Sequence, residues 1–263
     1  MSAKIYGTVT LSRRETLSSG FERFSFTGPD LLQFPQNCEG GYIKLMFDRA
    51  GYALQSLPDG FPDIERDQKP VVRSFTISAF EAVGDLPELS FDVAYNKNSG
   101  VAASWICDAQ LGDRITIVGP GKKQPLLDGY DWYMVVGDKT SLPAIVVNLE
   151  ALDHSKPVIC VLDAKSSDFW YEDIPNNVEI FFTEDGDSGS LESIVKKEAW
   201  REGWGSCYVW AACEFSQMRA LRRFFRFEKN IRKEDMYISS YWKQGETDEG
   251  NKKAKKLDQE ADL

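Results

Sequence analysis

The sequence predicts a β-rich half followed by a parallel α/β half, and three observations carry that reading. Over the first 120 residues, six short strand-like runs are separated by Gly, Pro and Asp turn signals, the pattern of an antiparallel barrel or sandwich. From Trp132 onward, short β-branched runs alternate with stretches of helical period, as in a parallel sheet with crossover helices. The change falls near residues 124–129, where Pro125 and Gly129 punctuate the chain. The expected units are residues 1–124, 130–245 and a charged tail, 246–263.

In the first half the strands are expected at residues 6–12, 22–27, 41–47, 71–78, 89–95 and 114–118. Residues 48–69 form a long polar loop containing PDGFPD, and a connection of that length usually serves function. In the second half DWYMVVGD is a strand running into a turn, and SLPAIVVNLEAL is a helix with Ser141 as N-cap and Pro143 in its first turn. Strands PVICVLDA and VEIFFT, helix SGSLESIVKKEAW, strand SCYVWAAC, helix SQMRALRRFFRFEKN and strand DMYISS follow. On the last of these helices Met218, Leu221 and Phe225 make an apolar stripe, and Arg219, Arg222, Arg223 and Arg226 lie on another flank. That flank is either a solvated face or a docking surface for an acidic partner. The tail NKKAKKLDQEADL has four lysines followed by three acids, the composition of a solvated terminus.

Composition narrows the function. No apolar run approaches the roughly 18–20 residues that span a bilayer, and MSAKIYGTVT enters strand alternation without an apolar leader, so a cytoplasmic protein is expected, with no membrane partner. Five scattered cysteines without a C-x-x-C pair argue against disulfides and against zinc or iron–sulfur ligation. The single histidine, His154, lies in the polar stretch DHSKP, where a surface role is expected. A net charge of −10 disfavours nucleic acid. Aromatic residues at 13% suit a packed core or stacking on a planar ligand.

The stretch RSFTISAF places Arg73 and Phe75 on one face of a strand and Thr76 on the other. A small β barrel followed by a parallel α/β domain is the layout of flavin-dependent reductases, and there Arg73 would pair with a pyrophosphate oxygen. Ser74 belongs to the same stretch; Phe75 would lie against the ring system and Thr76 near its reactive edge. NSGVAASWICDA then sets Gly100, Val101, Ala102, Ala103 and Ser104 at the start of a helix, where small residues admit an anion to backbone N–H groups. The alternatives are an ordinary strand with an exposed arginine and a tight turn into a helix. VVGDKTSLPA lacks the G-x-G-x-x-G fingerprint, but it occupies the first strand–helix crossover, where a pyrophosphate usually binds.

VVGDKTSLPAI resembles a G-D-E-T-A-L-P-A-I segment, VWAACEFSQMRALRRFFR a W-A-A-G-E…R-x-L-R-R segment, and SSYWKQGETDEG a closing G-Y-W-x-x-G. Together with RSFT, these are similar to the siderophore-interacting protein family of ferric-siderophore reductases, within the ferredoxin-reductase-like superfamily. The resemblance runs from about Ile5 to Gly250. It implies an FAD-binding six-stranded antiparallel barrel, a nicotinamide-type second domain, and delivery of electrons to Fe(III) held by a siderophore. It implies FAD contacts at the Arg73–Thr76 and Gly100–Ser104 stretches and at Tyr241 and Trp242, and nicotinamide contacts at Gly137, Asp138, Thr140, Cys213 and Glu214. Cys213 stands where the family has glycine, and a small buried hydrophobe is its default role. Glu214 matches the family's glutamate, as a ligand acceptor or a helix cap.

FFTEDGDSG puts Glu184, Asp185 and Asp187 where NADPH-preferring relatives carry arginine, so NADH is the expected donor. A reduced ferredoxin-like protein is the other. Candidate siderophore-holding cations are Arg49, Lys252, Lys253, Lys255 and Lys256. By analogy the chain is expected to be a monomer. The competing readings are another flavin reductase of the superfamily and a carrier that binds siderophore without turnover.

Overall fold

A computed structural model describes residues 4–65, 67–94, 101–152, 155–183 and 190–261, and the chain divides into two compact units, Met1–Gln124 and Pro125–Leu263.

The first unit is one antiparallel sheet. Its strands are β1 Ile5–Ser18, β2 Phe21–Thr27, β3 Tyr42–Phe47, β4 Val71–Thr76, β5 Ala79–Val83, β6 Leu86–Ala94 and β7 Arg114–Gly119, in the order β4-β3-β7-β1-β2-β6-β5. The sheet is barrel-like but not closed, and it has seven strands where six are expected. The seventh is β5, which lies beyond the expected strand 71–78; β4 itself ends at Thr76. At Ile77 the backbone bonds Gly41 O and then Gly40 N, and at Ser78 the N–H turns to Ser90 O at 2.9 Å. Two residues thus carry the chain from edge strand β4 into β5, at the other edge. Strands β5 and β6 form a tight hairpin whose loop needs Gly84 at φ 63°.

This curl brings Phe75 of β4 onto Phe91 of β6, ring centroids 4.7 Å apart. Phe91 also stacks on Phe24 at 6.0 Å and Phe26 at 5.3 Å. Phe24, Phe26 and Phe91 are fully buried, with Ile43 and Leu45 of β3 beside them. Helix α1, Val101–Asp108, lays Ala102, Ile106 and Trp105 on the same core. Bidentate ion pairs tie neighbouring strands, Arg14 of β1 with Glu22 of β2 and Arg23 of β2 with Asp92 of β6.

The second unit is a parallel sheet of β8 Trp132–Asp138, β9 Val158–Asp163, β10 Val178–Phe182, β11 Cys207–Glu214 and β12 Met236–Trp242, in the order β10-β9-β8-β11-β12. Helices α2 Leu142–Glu150, α3 Leu191–Ile194 and α4 Phe215–Arg223 connect the strands, and the last two run on as π-helical turns to Ala199 and Glu228. The order grows outward from β8 in both directions, so the topological switch lies between β8 and β11. Gly137 is fixed by packing at this place. A Cβ there would stand 2.1 Å from Ser141 Oγ and 2.6 Å from Ile145 Cδ1.

The tail is not a solvated terminus. Residues Asp248–Ala261 form helix α5, whose first turn is capped by Thr247 Oγ1 accepting from Gly250 N at 3.2 Å. Asp258 of α5 pairs with Arg219, at 2.9 Å, and with Arg222 of α4. Two of the four arginines on the α4 flank therefore hold a helix of the same chain. Among the described residues no helix is long and apolar enough to cross a membrane.

Phe91 is the shared ring of the stack, so Phe91→Ala should destabilise the first unit by about 3–5 kcal/mol. Urea denaturation checks this, and a midpoint indistinguishable from wild type would show that the stack does not support the sheet.

Candidate functional site

On β4, Arg73 and Phe75 are paired across the ladder with Leu45 and Ile43, both fully buried. Arg73 is half-buried on that core-facing side. Its Nη1 donates to the Val72 carbonyl at 2.9 Å, and among the described residues no carboxylate pairs with it. A half-buried guanidinium without a counter-ion is poised for an anion from elsewhere. Ser74, on the opposite face, is exposed and accepts from Lys44 Nζ at 2.8 Å. Phe75 and Thr76 are half-buried, Phe75 with one face against Phe91.

In α1, Ala102 enters the core, Ala103 is half-buried and Ser104 is exposed. Val101 opens the helix. Ser99 and Gly100 lie outside the described residues, as do His154, Glu184, Asp185 and Asp187. Arg49 is exposed in the turn after β3.

The second unit gathers its chemistry at the carboxyl end of the parallel strands. Asp138 ends β8, Asp163 ends β9, Glu214 ends β11 and Trp242 ends β12. Asp138 is buried. Its Oδ1 accepts from Thr140 N at 2.9 Å and Thr140 Oγ1 at 2.6 Å, and its Oδ2 accepts from the Trp242 indole at 2.8 Å. Burial pushes its carboxyl above the usual range, against the pull of those hydrogen bonds.

Glu214 caps α4: Oε2 accepts from the N–H and hydroxyl of Ser216, and Oε1 from Gln244 N at 3.2 Å. Burial raises its carboxyl, but the bonds from Ser216 and Gln244 outweigh burial and the net shift is downward. Cys213 is fully buried in the core against α4. Burial, then the charges of Asp138, Glu214 and Asp163, drive its thiol far up and keep it protonated.

Several members of this edge carry no motif. Asp163 accepts from Thr183 Oγ1 at 2.5 Å and from Gln217 Nε2 at 3.4 Å, and among the described residues the buried Gln217 Oε1 has no partner. The visible signal is that VVGD and VICVLD both end an apolar strand on aspartate.

Tyr241 is half-buried against Trp210 at 6.4 Å. Trp242 is 41% exposed. Lys252, Lys253 and Lys256 are exposed on α5. Lys255 turns inward, donating to Ser239 Oγ at 2.8 Å and Ser240 O at 3.0 Å, and burial lowers its pKa, with Lys252 adding to the effect.

With this geometry in place, comparison with known proteins identifies the family. Residues 10–124 match the siderophore-interacting FAD-binding domain, and residues 130–245 match the siderophore-interacting protein model. The chain belongs to the siderophore-interacting protein family.

Ferric vibriobactin reductase ViuB of Vibrio cholerae is 26% identical over 243 residues, covering 90% of this chain and 89% of the relative. The NADPH-dependent ferric-chelate reductase of Escherichia coli is 27% identical over 158 residues, covering 59% and 61%. The crystal structure of siderophore-interacting protein SipS from Aeromonas hydrophila superposes with a TM-score of 0.81 at 25% identity, covering 98% of this chain and 99% of that one. The ferredoxin reductase of carbazole 1,9a-dioxygenase, with a TM-score of 0.66 at 12% identity and coverage of 91% and 68%, shares the fold.

The two strand-tip carboxylates act oppositely on stability. Glu214 titrates below its ordinary 4.5 in the folded chain, so its contribution is present above that pH and is lost as pH falls through the folded value. Asp138 titrates above its ordinary 3.8, so its penalty is relieved on acidification. Glu214→Gln should therefore flatten the acid limb of a Tm-against-pH curve recorded from about pH 7 to about pH 3. An unchanged acid limb would contradict the capping role.

Proposed function

We propose that this chain is an FAD-dependent ferric-siderophore reductase that takes electrons from NADH, or from a reduced ferredoxin-like protein, and passes them to siderophore-bound Fe(III), releasing Fe(II) in the cytoplasm. The observation that carries the reading is Arg73: a half-buried guanidinium, without a carboxylate partner among the described residues, in a unit that matches an FAD-binding domain. When bound, FAD supplies the conversion of a two-electron hydride donation into single-electron deliveries. Fe(II) is held far more weakly than Fe(III) by hard oxygen donors, so reduction frees the metal without iron ligands from the protein.

In this reading Arg73 holds the pyrophosphate, and Phe75 and Thr76 border the ring system beside Ser74. The Gly100–Ser104 stretch offers a second pyrophosphate contact at the start of α1. Gly137, Asp138, Thr140 and Glu214 frame the donor's edge with Cys213 packed in the core beneath it, and Tyr241 and Trp242, the remaining expected FAD contacts, end the strand β12. Arg49 and the exposed lysines of α5, Lys252, Lys253 and Lys256, supply positive charge for an anionic chelate; Lys255 holds α5 in place. The acidic run Glu184, Asp185 and Asp187 supports NADH, since a 2′-phosphate beside it would be repelled. The named cofactor of the Escherichia coli relative favours NADPH instead.

Four measurements test the reading. The purified protein should be yellow or become so with FAD, and anaerobically reduced protein should reoxidise on adding a ferric hydroxamate or catecholate. Reoxidation by quinone or free flavin alone would favour a different reductase. Arg73→Ala should raise the Kd for FAD about ten- to hundredfold, as expected for one charge-assisted contact; unchanged flavin content removes the pyrophosphate role. Stopped-flow reduction should be faster with NADH than with NADPH, and the reverse order would overturn the acidic-loop argument.

A further inference from the structure

Trp242 is held at two points. Its indole Nε1 donates to Asp138 Oδ2, and its carbonyl accepts from Ser240 Oγ, each at 2.8 Å. Ser240 Oγ also lies 2.7 Å from Asn251 Oδ1 of α5. A hydroxyl carries one proton, so Ser240 shares its donation between the Trp242 carbonyl and Asn251 Oδ1, and Asn251 fixes the direction in which that hydroxyl points. Ser240 and Asn251 are 2% and 6% exposed, and a buried polar group that loses its partner costs about 1–3 kcal/mol. Below them α5 is fixed by Lys255 on Ser239 and Ser240 and by Asp258 on Arg219 and Arg222.

The ring itself is treated differently. Its hydrogen-bonding atom is engaged, yet the side chain remains 41% exposed. It stands at the carboxyl end of a parallel sheet beside the switch between β8 and β11, where such sheets take ligands. The carboxylates nearby are occupied: Asp138 by Thr140 and Trp242, Glu214 by Ser216 and Gln244. An oriented aromatic with an open face is suited to stacking.

The geometry points to Trp242 as the ligand-facing side chain of this edge, a platform for the planar ring of a nicotinamide dinucleotide, with Asp138 and Asn251 as positioning residues that aim it. This rests on the reading that the strand tips take such a donor. Asp138 acts through the indole and Asn251 through Ser240 and the main chain. Removing either loosens the ring without removing it.

The test uses the full chain labelled with fluorotryptophan, whose seven tryptophans give seven fluorine resonances; the one lost in Trp242→Phe assigns residue 242. Asp138→Asn and Asn251→Ala should each displace or broaden that resonance and leave those of distant tryptophans in place. NAD+ should shift it in the wild type, and calorimetry should show the Kd for NAD+ rising about tenfold in each variant. Asn251→Ala, on the surface-docked helix, keeps the test open should Asp138→Asn fail to fold. A Trp242 resonance unmoved by Asn251→Ala and by any folded Asp138→Asn protein overturns the positioning. NAD+ that binds without shifting the resonance overturns the platform but not the donor, and wild-type protein that binds no NAD+ overturns the donor reading and the platform together.

Discussion

A carboxylate buried at the tip of a central strand must find donors, and the second unit is arranged around that demand. Moving an ionised carboxyl out of water costs several kcal/mol even after relaxation, and Asp138 is 6% exposed. Its neighbours answer with Thr140 on one oxygen and Trp242 on the other. The first contact fixes the turn from β8 into α2. The second ties the end of β12 across β11 to the tip of β8. One side chain thereby sets the geometry of two strands and a crossover, all at the edge where an α/β sheet presents its ligand. Gly137 fits the same constraint from the backbone side, because any side chain there would displace Ser141 and Ile145 from the turn that Asp138 stabilises.

In the first unit the corresponding constraint is apolar. Three phenylalanines, two from β2 and one from β4, stack around Phe91 of β6, and this requires the two ends of the sheet to curl toward each other. The corner at Ile77 and Ser78 makes the curl affordable by finding backbone partners on both sides. Phe75 takes part in the stack, so its neighbour two residues back, Arg73, is forced onto the same side of β4. A cation is thus placed next to the core by the packing of an aromatic, which is why the R-x-F-T spacing has structural content before any ligand is considered.

What was legible in the sequence followed local periodicity. The antiparallel half, the parallel half and the glycine-to-aspartate turn after β8 are set by alternation, turn residues and apolar runs. β5 was not legible, because the strand-like run is expected to end at Ser78 and the corner that starts a new strand there is made by hydrogen bonds to residues 40, 41 and 90. Helix α5 left a readable signal in Thr247 and the acids that follow it, but its lysine-rich composition suggested solvent. Its docking depends on Asp258 meeting Arg222, 36 residues earlier. The same distance problem hid the site's organisation. Asp138 and Trp242 are 104 residues apart, and no spacing rule connects them. The family resemblance pointed to Asp138 and Glu214; only the fold shows that each already has its donors.

That occupancy bears on how any electron donor is recognised. A dinucleotide pyrophosphate at the first crossover would need free N–H groups, yet Thr140 N is bound to Asp138, and Pro143 has none to give. Lys139, the nearest cation in the turn, is engaged by Asp168 at 3.0 Å. Asp138, Asp163 and Glu214 together make the edge acidic, which disfavours phosphate. An acidic protein donor meets the same carboxylates, and Arg219 and Arg222, which would have welcomed it, are held by Asp258. Charge attraction is therefore weak for both classes at the strand tips. What the edge does offer is a partly exposed indole, and on the proposed reading the donor would be held there as a flat ring on a flat ring, dependent on orientation and largely indifferent to salt.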